Sequence, residues 1–213
     1  MIIVDDGSRD GTAELAKRAL ASHARGRVIV IPHGGKAAAV RAGMLAATGE
    51  LVGFCDADLA TPLPHLLDLR AALARGCAVA IGSREGEGAR RIGEPPYRHL
   101  MGRVFNGLVR RLLLPSVQDT QCGFKLFRAD VARDLLRTAR LYRESGRVVP
   151  GPRVTAFDVE LLAIAQRRGY DICAVPVVWT YGAASKVRPA RDTWHNLWDV
   201  LRVWWNAKRG LYQ

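Results

Sequence analysis

Leu51-Val52-Gly53-Phe54-Cys55-Asp56-Ala57-Asp58 is a short apolar strand that ends on two carboxylates one residue apart. Working outward, Ile2-Val4, Val28-Ile31 and Cys77-Ile81 are further short apolar strands. Helical patterns from about Thr12 to His23, Gly35 to Ala47 and Leu63 to Ala74 separate them. Strands spaced by helices of this length indicate βαβ units and a mostly parallel central sheet in an α/β domain. The 213 residues, 49% of them hydrophobic, suffice for one such core.

After Ile81 the pattern changes. Ser83 to Pro96 is a loop rich in Gly, Glu and Arg, placed where functional loops tend to lie. A helix follows from about Tyr97 to Leu114, then polar residues 118–122, an extended Gly123-Arg128 and a helix over Ala129-Arg140. Arg143 to Val154 reads as a second loop, Phe157-Arg168 as a helix, and Ile172-Tyr181 as a strand pair interrupted by Pro176. The chain divides into a domain over residues 1–190 and an amphipathic, Trp-rich helix over 191–213, with no repeats and no second globular domain.

The net charge of +12 asks for a polyanionic partner: nucleic acid, anionic lipid or a phosphate-rich substrate. An Arg-rich, Ala-rich composition is also the mark of a GC-rich genome, so charge alone decides little. Aromatic interleaving and known nucleic-acid motifs are lacking, which speaks against nucleic acid. No apolar run reaches the ~18–20 residues that cross a bilayer, and Met1 leads straight into Ile2-Ile3-Val4 without the basic start of a signal peptide. The expectation is a cytoplasmic protein, or one peripheral at the cytosolic face of a membrane. Cys55, Cys77, Cys122 and Cys173 lack C-x-x-C spacing and read as free thiols of a reducing compartment.

In an open α/β sheet, ligands sit beyond the carboxyl ends of the strands. Asp56 and Asp58 there repel each other unless a cation intervenes, and a hard ion such as Mg²⁺ or Mn²⁺ suits oxygen ligands and bridges to phosphates. The competing reading is that one Asp caps the following helix while the other is solvated. Val4-Asp5-Asp6-Gly7-Ser8-Arg9-Asp10-Gly11-Thr12 also places acids at a strand end before a helix. Ser8, Asp10 and Thr12 suit turn and cap positions, but two adjacent acids are not needed for capping. A carboxylate there could accept hydrogen bonds from a base N–H or a ribose hydroxyl.

Together these segments resemble the family 2 glycosyltransferases, inverting enzymes with a Rossmann-like GT-A fold. Gly35-Lys36-Ala37-Ala38-Ala39-Val40-Arg41-Ala42-Gly43 is similar to that family's G-K-G-x-A-x-R-x-G helix start, with Ala37 in place of a usual Gly. Asp56 to Pro62 resembles its D-A-D-x-[AS]-T metal motif. Asp119-Thr120-Gln121-Cys122-Gly123-Phe124-Lys125-Leu126-Phe127, Phe157-Asp158-Val159-Glu160-Leu161-Leu162 and Ser185-Lys186-Val187 resemble the subgroup that contains dolichyl-phosphate β-glucosyltransferases and prokaryotic polyprenyl-phosphate relatives.

The resemblance implies transfer of a sugar, glucose in that subgroup, from a UDP-sugar to a polyprenyl or dolichyl phosphate. Asp5 and Asp6 would contact uracil and ribose, with Ser8 and Lys36 nearby; Asp56 would face the donor, and Asp56 and Asp58 would hold Mg²⁺ or Mn²⁺. Asp158 takes the position of the general base. Arg84, Arg98, Gln121 and Lys125 would surround the acceptor phosphate. A lipid phosphate is already anionic at pH 7, so it needs cationic positioning more than a base. A GDP-mannose donor, a polysaccharide acceptor, or an inactive homologue are the other readings. Relatives begin earlier, with a strand and a P-x-Y-N-E-like segment that walls the nucleotide pocket. This chain starts at what would be their second strand, so an open edge is expected beside Ile2-Val4.

Trp194, Leu197, Trp198, Leu201 and Trp205 recur at helical spacing. The helix that carries them either packs on the domain or lies in a membrane interface, with Trp at headgroup level and Arg and Lys toward anionic lipid.

Overall fold

The computed structural model describes residues 1–142, 156–182 and 189–213. The expected loop at Arg143-Val154 and the Ser185-Lys186-Val187 motif lie outside the described residues. The elements run β1 (Ile2–Asp5), α1 (Thr12–Leu20), β2 (Arg27–Val30), α2 (Lys36–Ala46), β3 (Leu51–Cys55), α3 (His65–Ala74), β4 (Val79–Ser83), β5 (Arg90–Ile92), α4 (Pro96–Leu112), β6 (Phe124–Arg128), α5 (Ala129–Thr138), α6 (Phe157–Arg167), β7 (Ile172–Pro176), β8 (Val178–Thr180) and α7 (Pro189–Lys208).

The main sheet has the order β3-β6-β4-β7. It is mixed: β6 runs antiparallel to both β3 and β4, while β4 and β7 are parallel. Local patterning shows that Phe124-Arg128 is extended but not which way it threads, and its insertion between β3 and β4 is a tertiary choice. Side chains alternate across this sheet. Val79, Ile81 and Phe127 face the core shared by α2, α5, α6 and α7, while Ala80, Leu126 and Phe124 face α3. Val200, Val203 and Ala207 of α7, and Tyr212 after it, belong to the first of these cores.

β1 and β2 form a separate parallel pair. Helix α2 packs on both β1 and β3, yet no ladder joins those strands among the described residues. The loop after β4 also holds one strand that the sequence hides. Arg90-Arg91-Ile92 lacks any strand pattern and becomes β5 only because β8 lies parallel to it.

The cysteines depart from expectation. Cys77 and Cys173 form a disulfide across the β4–β7 pair, 96 residues apart in sequence with Cα atoms at 6.1 Å. Parallel pairing of β4 with β7 brings them within bonding range, a proximity that spacing along the chain does not reveal. Cys55 and Cys122 remain free.

Candidate functional site

Three strand ends and three helix starts converge at one end of the fold. β3 delivers Asp56 and Asp58, with Asp56 half-buried and Asp58 exposed. The Asp58 carboxylate accepts a 3.1 Å hydrogen bond from the Ala60 backbone N–H, which fixes the turn and leaves one oxygen for other partners. The Asp56 N–H donates to the Gly123 carbonyl at 2.9 Å, so β6 holds the motif in place. A Cβ on Gly123 would lie 1.9 Å from an Asp56 carboxylate oxygen. Only a glycine lets the β6 backbone approach that side chain so closely.

Lys36, the first residue of α2, ion-pairs with Asp56 at 2.6 Å. Burial by itself would lower the Lys36 pKa, but the charges of Asp56 and then Asp158, with the Asp56 hydrogen bond, raise it above the usual lysine value. The helix can start here because Gly35 takes φ 84°, a left-handed conformation that suits glycine.

Asp158 lies in the first turn of α6, 4% exposed, and pairs at 2.9 Å with Lys125, which is fully buried. Lys125 also donates to the Cys122 carbonyl at 2.6 Å and sits 5.5 Å from the Phe54 ring centroid. The period of two that buries Phe127 against the α6 side of the sheet puts Lys125 on the same face. Its side chain is fully buried and its charge is paired with Asp158 inside the protein.

A second cluster borders the first. Arg84, just after β4, grips the fully buried Asp119 through two side-chain hydrogen bonds, Nε to Oδ2 at 2.7 Å and Nη2 to Oδ1 at 2.8 Å. Arg84 also lies over the Trp179 ring at 5.3 Å, and Arg98 lies over Tyr181 at 5.2 Å. A guanidinium carries five N–H donors, so Arg84 keeps donors beyond those given to Asp119. The Gln121 N–H donates to Asp119 at 3.2 Å, so this residue borders the same cluster.

Asp5 and Asp6 are held by their own loops. Asp5, 4% exposed, accepts from the Ser8 N–H at 3.0 Å. Asp6 accepts from Gly34 and Gly35 N–H at 2.7 and 2.9 Å and meets His33 Nδ1 at 2.8 Å. These contacts lace the β1 turn to the start of α2. Sequence reasoning did not single out Asp119, Gly123, His33, Trp179 or Asp199. Asp119 and Gly123 stood in a quoted motif, and their roles appear only once β4 and β3 flank β6. Asp199 of α7 accepts from the Tyr142 hydroxyl and from the Ala156 N–H, immediately before α6.

Among the described residues no group of three or more His, Cys, Asp or Glu could hold a metal alone. Two carboxylates fit Mg²⁺ or Mn²⁺ nevertheless, since such ions commonly take one or two carboxylates and complete their shell with substrate phosphates and water.

Residues 1–136 match the family model described as Glycosyl transferase family 2. The chain is 35% identical over 195 residues to a dolichyl-phosphate beta-glucosyltransferase of Trichomonas vaginalis, covering 88% of this chain and 55% of that protein. It is 34% identical over 199 residues to the human dolichyl-phosphate beta-glucosyltransferase, covering 89% of this chain and 58% of the relative. The chain therefore spans little more than half the length of these curated relatives. Glucosyl-3-phosphoglycerate synthase of Mycobacterium tuberculosis, solved with Mn²⁺, UDP-glucose and glycerol 3-phosphate, has a TM-score of 0.61 at 21% identity, covering 95% of this chain and 68% of that one. Mannosyl-3-phosphoglycerate synthase of Rubrobacter xylanophilus gives 0.64 at 19% identity, covering 98% and 64%. At such identities these structures establish the GT-A-like fold alone.

Proposed function

The chain belongs to glycosyl transferase family 2, and from that premise we propose that it transfers a sugar, glucose, from a UDP-sugar to a polyprenyl or dolichyl phosphate, with inversion at the anomeric carbon. The supporting observation is the adjacency of the carboxylate pair after β3 (Asp56, Asp58) with the arginine–aromatic wall (Arg84 on Trp179, Arg98 on Tyr181): the Thr180 N–H, between the two rings' residues, donates to the Ala60 carbonyl at 2.9 Å. One side suits a cation-bridged diphosphate, the other an anionic acceptor. The names of the curated relatives point to the same acceptor class.

Asp56 and Asp58 would hold Mg²⁺ or Mn²⁺, which would neutralise the charge that develops on the departing UDP. Lys36, half-exposed beside Asp56, adds a fixed positive charge on the donor side. The acceptor phosphate oxygen forms the new bond to the anomeric carbon as the bond to UDP breaks. No proton need leave an acceptor already ionised at pH 7, so Asp158 serves mainly to hold Lys125 and the β6 turn. The protein would work peripherally at the cytosolic face of a membrane, with α7 presenting Trp194, Trp198 and Trp205 outward, 67%, 60% and 52% exposed.

The test is transfer of label from radiolabelled UDP-glucose to a polyprenyl phosphate in the presence of Mn²⁺, with GDP-mannose as the competing donor. Binding of UDP-glucose that is indifferent to Mn²⁺, or transfer from GDP-mannose alone, overturns the reading.

A further inference from the structure

Strand β8 has a strand partner on one edge. It lies parallel to β5 in a sheet of two strands, and no further ladder joins it among the described residues. Backbone N–H groups point to alternate sides along a strand. Tyr181 accordingly donates to the Ile92 carbonyl of β5 at 2.8 Å, while Val178 and Thr180 turn their N–H groups to the other edge. A donor left without an acceptor there would be costly. Two groups stand in for the missing strand. Thr180 donates to the Ala60 carbonyl at 2.9 Å, and Val178 donates to Nε2 of His65 at 3.1 Å.

The bond from Val178 fixes the state of the ring. A backbone N–H can only donate, so Nε2 must be the nitrogen without a proton. The proton of the neutral imidazole then lies on Nδ1, which donates to the Asp68 carboxylate at 3.0 Å, one turn along α3. His65 is thus held on both sides, and its side chain is only 20% exposed, which leaves water little room to replace it.

The place of this contact gives it a use. Ala60 bonds through both of its backbone groups, its N–H to the Asp58 carboxylate and its carbonyl to Thr180. Pro62 and Pro64, whose rings lock φ, lie between Ala60 and His65, and the His65 N–H donates to the Pro62 carbonyl at 3.2 Å. One stiff segment therefore carries a carboxylate of the donor side at its start and the acceptor for β8 at its end. Side chains two residues apart on a strand share a face. Trp179 and Tyr181 stand together in this way, with ring centroids 6.1 Å apart, beneath Arg84 and Arg98.

We infer that His65 is a positioning residue for the acceptor: it takes the Val178 N–H and so holds Trp179 and Tyr181 where they seat Arg84 and Arg98. Its effect on the acceptor rests on the lipid-phosphate reading above; its hold on β8 does not.

The experiment compares the full chain with His65→Gln and His65→Phe, using Mn²⁺, UDP-glucose and a polyprenyl phosphate. A glutamine carbonyl oxygen can reach the place of Nε2, whereas a phenyl ring keeps the bulk and accepts nothing. His65→Phe should raise the KM for the acceptor roughly tenfold, the scale of one unmade hydrogen bond. Its kcat and its KM for UDP-glucose should stay unchanged, and His65→Gln should restore the acceptor KM. Exchange of the Val178 amide hydrogen, followed by NMR, should quicken by a similar factor in His65→Phe and slow again in His65→Gln. If thermal melts show that His65→Phe does not fold, His65→Asn takes its place, since its amide is one atom too short for Val178. Equal changes in kcat or in the donor KM, failure of glutamine to restore the acceptor KM, or Val178 exchange that ignores the substitutions would each overturn the inference. A wild-type chain that transfers no sugar, but whose Val178 exchange follows the substitutions as expected, would sink the proposed reaction and leave His65 as the residue that holds β8.

Discussion

The Nζ of Lys125 lies 2.9 Å from the Asp158 carboxylate, with the lysine fully buried and the aspartate 4% exposed. The pair joins β6, an inner strand of the main sheet, to the first turn of α6, and removing one partner strands the other charge in the core. Lys125→Met should therefore cost about 3–5 kcal/mol of stability. Adding Asp158→Asn should return part of it, with a coupling of about 2 kcal/mol in a double-mutant cycle by urea unfolding. Additive losses would show that the two side chains are energetically independent.

The same pair governs how activity data should be read. On the proposed reaction, Asp58→Asn would remove a ligand for the donor metal, whereas Asp158→Asn would remove a group that an ionised acceptor does not need as a base. Measured per folded molecule with a phosphate acceptor, the Asp158 variant should retain far more turnover than the Asp58 variant. Equal abolition by both would give Asp158 a direct part in the chemistry.

Gly123→Ala tests the close approach of β6 to the metal motif. The new methyl would stand 1.9 Å from an Asp56 oxygen, so the carboxylate must swing away or β3 must part from β6. A displacement on the order of 1 Å at a reacting site costs about a hundredfold in rate. We expect such a loss in kcat/KM together with weaker Mn²⁺-dependent UDP-glucose binding by calorimetry. Normal Mn²⁺ dependence in the alanine variant would show that Asp56 does not hold the ion.

Asp119 gives a pH dependence. Burial by itself would raise its carboxyl, but the charge of Arg84 and the hydrogen bonds from Arg84 hold it well below the usual carboxylate range. A carboxyl lowered on folding contributes its full stabilisation above the unfolded value of about 3.9, and the contribution fades as pH falls toward the folded value. Asp119→Asn should cost about 3 kcal/mol at pH 7, and its unfolding free energy should fall less steeply than that of wild type below about pH 4. Parallel acid profiles would remove Asp119 from the account.

The sequence by itself determined the class of fold and the positions of Asp56, Asp58, Lys36 and Asp158. Strand and helix periods are local properties, and a carboxylate pair at a strand end carries its chemistry wherever the strand is placed. Only the tertiary structure decided which charges meet. β6 enters the sheet antiparallel and turns Lys125 inward to Asp158, although its motif had suggested a phosphate ligand. Arg84 finds Asp119 across 35 residues, and Cys77 finds Cys173 across 96. The sequence pattern left open whether α7 packs or faces a membrane, and the fold buries Val200 and Val203 while leaving three tryptophans exposed. Ion pairs, disulfides and exposed faces depend on neighbours distant along the chain, and periodicity reports only on near ones.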